Sequence, residues 1–247
     1  MLSFPDIPIY VISVRTFSDR HRHIEELARS LGFDFEYIFE HDADELSESD
    51  WSRVNRAMNP KSVSNTLKHL AAQERLIASG KKVGLVFEDD VIVFDGFVEY
   101  LNKTLELASR LDSGWLIFLG GADNKIDSRF SQCSGFSLIE NPISTAEAYL
   151  VDLDGCLSRR AWLSSNTIDR QADHQLKLID QFLGLPHFWT SRPLVTQGSI
   201  TGDFMTALDQ SRAKRGPLFL KWKYRWNCLR RQTLPRFFAR IMRSLRT

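Results

Sequence analysis

Three carboxylates stand side by side directly after a short apolar run. Glu88, Asp89 and Asp90 follow residues 83–87, whose sequence is VGLVF. Adjacent like charges repel one another, so the three cannot all ionise cheaply at the end of a strand unless a cation lies beside them. Carboxylate oxygens are ligands that Mg²⁺ and Mn²⁺ accept, usually together with water and substrate phosphates. The acidic trio therefore indicates a divalent cation site, and the alternative interpretation is a solvated acidic turn.

The surrounding pattern predicts an α/β domain built on a mainly parallel sheet with helices on its faces. Runs that are typical of buried strands alternate with segments of helical period over the first 120 residues. The expected strands are 7–14, 33–39, 83–87, 115–119 and 146–151, and the expected helices are 18–31, 64–79, 94–111, 158–164 and 173–182. In open sheets of this kind, ligands bind beyond the carboxyl ends of the strands, which is where the acidic trio falls.

The composition is that of an ordinary globular protein. Of 247 residues, 43% are hydrophobic and 26% are charged, which argues against disorder and fibrous repeats. No apolar stretch is long enough to span a membrane, and the first residues carry Asp6 without a basic cluster, so no secretory signal is expected. Cys133, Cys156 and Cys228 lie far apart and form no metal-binding pattern, which indicates reduced thiols in the cytoplasm.

Positive charge is concentrated at one end of the chain, in residues 212–247, which we call the basic tail. The tail holds twelve Lys or Arg and no Asp or Glu, whereas residues 1–211 hold 20 basic and 31 acidic residues. Residues 1–211 are expected to form the α/β domain. Within the tail, apolar residues recur at helical spacing between arginines, with Thr233 as the expected N-cap and Pro235 in the first turn. The apolar positions are Leu234, Phe237, Phe238, Ile241, Met242 and Leu245.

This pattern predicts an amphipathic helix that lies on an anionic membrane surface. Trp222, Tyr224 and Trp226 are the expected interfacial anchors. Such a tail would make the protein peripheral on the inner face of the cytoplasmic membrane. The alternatives are a helix docked on the domain and a nucleic-acid contact, and the acidic remainder of the chain argues against nucleic acid.

Several short motifs occur in an order that is found in one enzyme family. The segment IYVISVRTFSDR ends at Arg20, and SNTLKH ends at His69, upstream of the acidic trio. The segments AYLV at 148–151, ADHQL at 172–176 and PLVTQ at 193–197 follow, with Ser199-Ile200 after them. In these features, over residues 7 to 200, the chain resembles the glycosyltransferase family 25 enzymes, which include lipooligosaccharide galactosyltransferases and collagen-modifying relatives.

The resemblance implies a GT-A type nucleotide-sugar-binding fold and an inverting glycosyltransferase. The implied donor is a UDP-sugar, commonly UDP-galactose, and the implied acceptor is a lipid-linked glycan such as lipopolysaccharide core or O-chain. Asp89 and Asp90 would hold a divalent cation, Mn²⁺ or Mg²⁺, on the donor diphosphate, where it stabilises the charge of the leaving group. Inversion also needs a base on the opposite face, and Asp173 is the candidate, with His174 as an alternative base or metal ligand.

Further contacts to the nucleotide sugar are expected from residues outside the two acidic segments. They are Arg15, Arg20, His69, Glu88 and Asp123. Each prediction has a structural alternative: Asp173 suits a helix N-cap, His69 suits a buried core position, and Arg20 suits a helix surface. Asp152 and Asp154 form a second acidic pair, which is also typical of a turn.

Two other functions remain open at this point. Phosphoryl or nucleotidyl transfer would use the same carboxylates, although the chain has no GxxxxGK[ST] loop. A non-catalytic sugar- or nucleotide-binding scaffold with a degenerate site is the second. Ser64, Asn65 and Lys68 favour it, because the family has Gly-Cys and Ser at these places.

Overall fold

The computed structural model describes residues 2–124, 135–141, 145–205 and 215–244, without the side chains of 239, 240, 242 and 243. The strands are β1 (Ile9–Ile12), β2 (Glu36–Ile38), β3 (Val83–Glu88), β4 (Val91–Val93), β5 (Leu116–Phe118), β6 (Leu138–Glu140), β7 (Ala148–Asp152), β8 (His187–Thr190) and β9 (Val195–Gln197). The helices are α1 (Ser18–Leu31), α2 (Glu48–Ser52), α3 (Pro60–Ser79), α4 (Phe97–Ala108), α5 (Leu153–Leu163), α6 (Ala172–Leu183), α7 (Gly198–Thr201), α8 (Pro217–Cys228) and α9 (Leu234–Ser244). A π-helical turn, Leu229–Thr233, joins α8 to α9.

Seven of these strands form one sheet in the order β2-β1-β3-β7-β5-β8-β6. Strands β2, β1, β3, β5 and β8 run in one direction, and β7 and β6 run against them. Strands β4 and β9 pair separately as an antiparallel ribbon. The predicted α/β class, with a mainly parallel central sheet, is confirmed, and the GT-A type stays a prediction.

Helices cover both faces of the sheet, and the strands alternate between two apolar clusters. Val11, Leu85 and Phe87 pack with α1 and α4 on one face, and Tyr10 and Val86 pack with α3 on the other. Both faces of β1 and β3 are therefore buried. This double burial makes β1 and β3 recognisable in the sequence as continuous apolar runs.

The helix ends follow local backbone chemistry. Gly32 and Gly80 adopt left-handed conformations, with φ of 71° and 66°, and end α1 and α3 as predicted. Helix α3 begins earlier than predicted, because the Asn59 side chain accepts a hydrogen bond from the Lys61 N–H and Pro60 occupies the first turn. Thr233 is not an N-cap, because helical backbone continues through the π-helical turn into α9.

Several short elements were not predicted. They are β4, β6, β8, β9 and α7, and each has only three or four residues. Among the described helices, none is both long and apolar enough to cross a membrane.

Candidate functional site

A cavity of about 310 Å³ opens at the carboxyl ends of β1 and β3. Strand β1 has β2 on one side and β3 on the other, so the chain order reverses here, and such points are where open α/β sheets bind ligands. The lining residues come from the end of β1, the start of α1, the loop after β2, one face of α3, the acidic trio and the α7 region. They include Ser13, Phe17, Arg20, Asp44, Lys61, Ser64, Asn65, Lys68, Glu88, Asp89, Asp90, Gln197 and Ser199.

Asp90 has the one carboxylate oxygen of the trio without a protein partner among the described residues. Its Oδ2 accepts a hydrogen bond from the Ser199 N–H at 3.0 Å, and its carbonyl oxygen accepts one from the Gly198 N–H at 2.7 Å. Its Oδ1 is buried and has no hydrogen-bond partner in the described structure. A buried acceptor without a partner is costly, so this oxygen is a place where a bound cation or donor group would stabilise the protein.

Asp89 is held by two partners from the β1–α1 region. Arg20 forms an ion pair with its Oδ1, and the Ser13 hydroxyl donates to its Oδ2 at 2.6 Å. The Arg20 guanidinium also lies over the Phe17 ring, with its central carbon 4.9 Å from the ring centroid. Arg20 lines the cavity, and its charge is directed at Asp89.

Glu88 closes the inner wall of the cavity. The Asn65 side chain donates to its Oε1 at 3.2 Å, and the Gln197 side chain donates to its Oε2. His69 lies behind it, with Nε2 3.5 Å from Oε1 and Nδ1 3.0 Å from the Tyr149 hydroxyl. Burial opposes ionisation of Glu88, but neighbouring His69, the hydrogen bond from Asn65 and the charge of Arg20 outweigh it and lower its pKa.

The surroundings of Asp90, the last residue of the acidic trio, raise its pKa. Burial and the negative charge of Glu88 raise the pKa of Asp90 to about 7, although Arg20 partly opposes this. In the metal-free protein near neutral pH, Asp90 is therefore only partly ionised. A cation would favour the ionised form, because an opposite charge at close range stabilises a carboxylate.

A buried ion pair supports another wall of the cavity. Lys68 on α3 lies 2.7 Å from Asp42 Oδ1, and its ammonium group donates to the Phe39 carbonyl at 3.0 Å. Both side chains are almost fully buried. Asp42 directly precedes Ala43 and Asp44, which line the cavity. Lys68 thus fixes the loop after β2 as part of the cavity wall.

Other predicted site residues lie outside the cavity lining. His69 is fully buried behind Glu88. The Arg15 side chain is 56% exposed and lies 3.9 Å from Glu45. Asp123 lies beside the basic tail, where its carbonyl accepts a hydrogen bond from Arg231 at 3.1 Å.

Asp173 and His174 are in the first turn of α6, also outside the cavity lining. The Asp173 carboxylate accepts a hydrogen bond from the His174 N–H at 2.9 Å. The segment before α6 contacts α3 through the Thr66 hydroxyl, which donates to the Arg170 carbonyl at 3.3 Å, but Thr66 is not among the α3 residues that line the cavity. The other acidic pair, Asp152 and Asp154, lies near the amino end of β3, at the end of the sheet away from the cavity, and Asp152 caps α5.

Several contributors were not predicted from the sequence. Ser13, Lys61, Gln197 and Ser199 line the cavity, and three of them contact the trio through bonds that join distant segments. In the sequence, the segment that holds Gln197 and Ser199 is marked only by the resemblance to family 25. The sequence signal that could have found them is a hydrogen-bonding side chain close to the end of a strand.

The donor set suits a cation held mainly by a substrate. Within the described ranges, no three His, Cys, Asp or Glu side chains are grouped so as to hold a metal ion by themselves. Mg²⁺ commonly uses only one or two carboxylates, with waters and substrate phosphates completing its shell. Asp90 fits that role through Oδ1, and Asp89 fits it only if its contact with Arg20 loosens.

Comparison with known proteins assigns no family. No protein-family model matches the chain, and no curated protein matches it. Among solved structures, it is similar to the inositol-1-phosphate CTP transferase from T. maritima, with 8% identity, a TM-score of 0.36, and coverage of 88% of this chain and 77% of that one.

Two further solved structures are similar at the same level. A glycosyltransferase involved in glycosylation of the major capsid of PBCV-1 has 14% identity and a TM-score of 0.35, with 88% of this chain and 100% of that one covered. Mannose-1-phosphate geranyltransferase from Thermus thermophilus has 10% identity and a TM-score of 0.35, with coverage of 85% and 80%. TM-scores and identities this low assign neither a family nor an activity to this chain.

Proposed function

We propose that this protein is a glycosyltransferase that takes a sugar from a nucleoside diphosphate donor with the help of a divalent cation. The observation that carries the proposal is the buried, unpartnered Oδ1 of Asp90, a residue that lines a cavity at the carboxyl ends of β1 and β3. From the family 25 resemblance we propose a UDP-sugar as the donor, with UDP-galactose as the first candidate, and a lipid-linked glycan as the acceptor. The resemblance also implies inversion at the anomeric carbon.

The residues of the cavity have distinct tasks in this proposal. Asp90 holds the cation through Oδ1, while the Ser199 N–H fixes its other oxygen. The bound cation supplies Lewis-acid stabilisation of the charge that develops on the departing diphosphate. Arg20 neutralises Asp89, and the Asn65 and Gln197 side chains orient Glu88, so that the walls around the diphosphate keep their shape.

Proton removal from the acceptor hydroxyl needs a carboxylate on the far side of the sugar. We keep Asp173 as the candidate base on the family 25 resemblance, in which residues 172–176 match the family's acidic segment after the small helix. A positioned general base contributes about 10² to 10⁴ in rate. Asp173→Asn should therefore lower acceptor transfer by about that factor and leave donor binding unchanged.

The proposal is tested by hydrolysis of a panel of UDP-, GDP- and CMP-sugars with and without Mn²⁺. We expect one donor to be hydrolysed only when Mn²⁺ is present. Asp90→Asn keeps the side-chain shape and the acceptor for Ser199 but removes the charge, so it should abolish this hydrolysis. Asp154→Asn is the matched control, since Asp154 is an exposed carboxylate near the amino end of β3, at the end of the sheet away from the cavity. Turnover retained by Asp90→Asn would refute the cation site.

A second candidate function is nucleotide-sugar binding without turnover. Asp89 favours this function, because both of its carboxylate oxygens already bind Arg20 and Ser13. Among the described residues, the trio then has a single carboxylate oxygen without a partner. Thermal unfolding with UDP, GDP and CMP, each with and without Mn²⁺, separates the two functions. A ligand present at 100 times its Kd stabilises the folded state by about 2.7 kcal/mol. Stabilisation without hydrolysis of any donor would favour the binding function.

A further inference from the structure

The basic tail forms a helical segment with two different faces. Leu220, Tyr224 and Cys228 are four residues apart along α8, and Leu220 and Cys228 contact the domain. Trp222 and Trp226 have the same spacing but are shifted by two positions. A shift of two residues rotates a position by about 200° around an α-helix, so the two tryptophans lie on the opposite side.

The inner face is anchored to the domain by polar contacts to carbonyl oxygens. The Gln232 side chain is buried and donates to the Gly121 carbonyl at 3.1 Å, and Cys228 Sγ lies 3.1 Å from the Ala122 carbonyl oxygen. Farther along, Arg236 donates to the Ser191 carbonyl at 2.7 Å. These contacts hold the tail on the domain with a fixed orientation.

The π-helical turn keeps this inner face in register. The inner positions Tyr224, Cys228, Gln232 and Arg236 recur at every fourth residue, whereas an α-helix has 3.6 residues per turn. Positions four apart would drift by about 40° at each step in a straight α-helix. The wider turn at Leu229–Thr233 offsets part of this drift, so α8 and α9 present the same side to the domain.

The outer face exposes large apolar side chains. Trp222 is 61% exposed and Trp226 is 49% exposed, and their rings stack with centroids 6.5 Å apart. Leu218, Phe237 and Phe238 extend the exposed set along both helices. Apolar surface of this extent on one side of a monomer marks a surface that meets another apolar phase.

The charge around this face is of one sign. The described part of the tail, 215–244, contains nine Lys or Arg and no Asp or Glu. One of these, Lys221, lies 2.8 Å from Asp203, and Lys223 and Arg225 are exposed beside the tryptophans. Residues 1–211 carry more acidic than basic residues. An anionic surface would therefore attract the tail and repel the rest of the molecule, which orients the approach.

We propose that the outer face of α8 and α9 docks on an anionic lipid bilayer. Tryptophan and phenylalanine rings would enter the headgroup region while lysine and arginine side chains contact lipid phosphates. The tail also lies beside the candidate site. Ser199 of α7 lines the cavity, and Gly202, which ends α7 with φ of 85°, packs so closely on the tail that an added Cβ would lie 2.7 Å from the Pro217 carbonyl oxygen. Docking would thus bring one edge of the cavity close to the lipid surface.

Vesicle co-sedimentation of the full chain tests the proposal. We expect binding to vesicles of phosphatidylcholine with about 30% phosphatidylglycerol, little binding to pure phosphatidylcholine, and weakening by salt. Trp222→Ser with Trp226→Ser should reduce partitioning by about tenfold, and Lys223→Gln with Arg225→Gln should do the same. Phe182→Ser is the matched control, since Phe182 is 74% exposed but lies on α6, outside the tail.

A second measurement covers the case in which a variant folds poorly. Chain-brominated lipids should quench the fluorescence of wild-type Trp222 and Trp226, and no quenching is expected with the same lipids in the tryptophan double variant. Equal binding to neutral and anionic vesicles would overturn the proposal, as would unreduced binding of the tryptophan variant with matching circular dichroism. Self-association of the wild-type chain without vesicle binding would overturn it too, by assigning the face to a second copy. Donor hydrolysis in solution does not depend on docking, so either proposal can fail alone.

Discussion

The Glu147 side chain gives a pH-dependent test of the site architecture. It is buried beside the end of β3, and its Oε1 accepts a hydrogen bond from the Gly121 N–H at 2.6 Å. Burial raises the pKa of Glu147 from an ordinary value of 4.5 to about 7. Hydrogen bonds to the ionised carboxylate oppose this shift, and the negative charge of Glu88 adds to it. The folded protein therefore holds this proton at pH values where the unfolded chain has lost it.

The sign follows from proton linkage. A carboxyl group whose pKa is raised on folding costs stability as pH rises from its unfolded to its folded pKa, and the cost is constant above the folded value. One pKa unit corresponds to about 1.4 kcal/mol, so the full cost is about 3 kcal/mol, of which about 2.5 kcal/mol develops between pH 5 and pH 8. Glu147→Gln keeps the acceptor for Gly121 and removes the titration.

Urea unfolding in a metal chelator measures this difference. The variant should gain about 2.5 kcal/mol relative to wild type between pH 5 and pH 8. Glu26→Gln, at an exposed position on α1, is the control and should show no such pH dependence. A constant difference between Glu147→Gln and wild type at every pH would refute the reasoning.

Two further predictions concern buried ion pairs. Asp180 accepts from Arg159 through two bonds of 2.7 and 2.9 Å in the core, so Asp180→Asn should destabilise the fold by about 3 to 5 kcal/mol in urea unfolding. Burial opposes ionisation of Asp180, but Arg159 and His187 outweigh it and lower its pKa. The stability that ionised Asp180 contributes should therefore disappear as pH falls through the acid range. A wild-type protein whose unfolding free energy does not fall in acid would contradict this. Lys68→Met leaves Asp42 buried without its cation and should cost about 3 kcal/mol, and adding Asp42→Asn should recover more than half of it. Equal stability of the single and double variants would show that the pair does not fix the loop after β2.

Much of the sheet was predictable because it is encoded locally. Strands β1 and β3 are buried on both faces, so they are continuous apolar runs, and Gly32 and Gly80 end their helices through backbone conformations that glycine adopts easily. Strands β6, β8 and β9 escaped prediction because each is short and includes polar residues, such as Glu140, His187 and Gln197, whereas the equally short β5 lies in the apolar run 115–119. A run that is both short and partly polar carries too little periodicity to separate a strand from a loop.

The candidate site was predictable only in part. The acidic trio was found from three adjacent letters, and Arg20 was found from its place after the first strand. Lys68 was noted only as a departure from a pattern, and its ion pair with Asp42 gives that departure a structural purpose. Asp123 was expected at the sugar, which stays a prediction, and its backbone carbonyl accepts a hydrogen bond from Arg231 of the basic tail.

The sequence by itself determined the α/β class, the position of three carboxylates at a strand end, and the separation of charge between body and tail. These depend on periodicity, chain order and composition, all of which can be read along the chain. Only the tertiary structure decided which carboxylate oxygen of the trio lacks a partner within the described ranges and which tail face meets the domain. Both depend on contacts between residues far apart in sequence, such as Arg20 with Asp89 and Gln232 with Gly121. No local pattern specifies such pairs, because they form only when the packed core fixes where each segment lies.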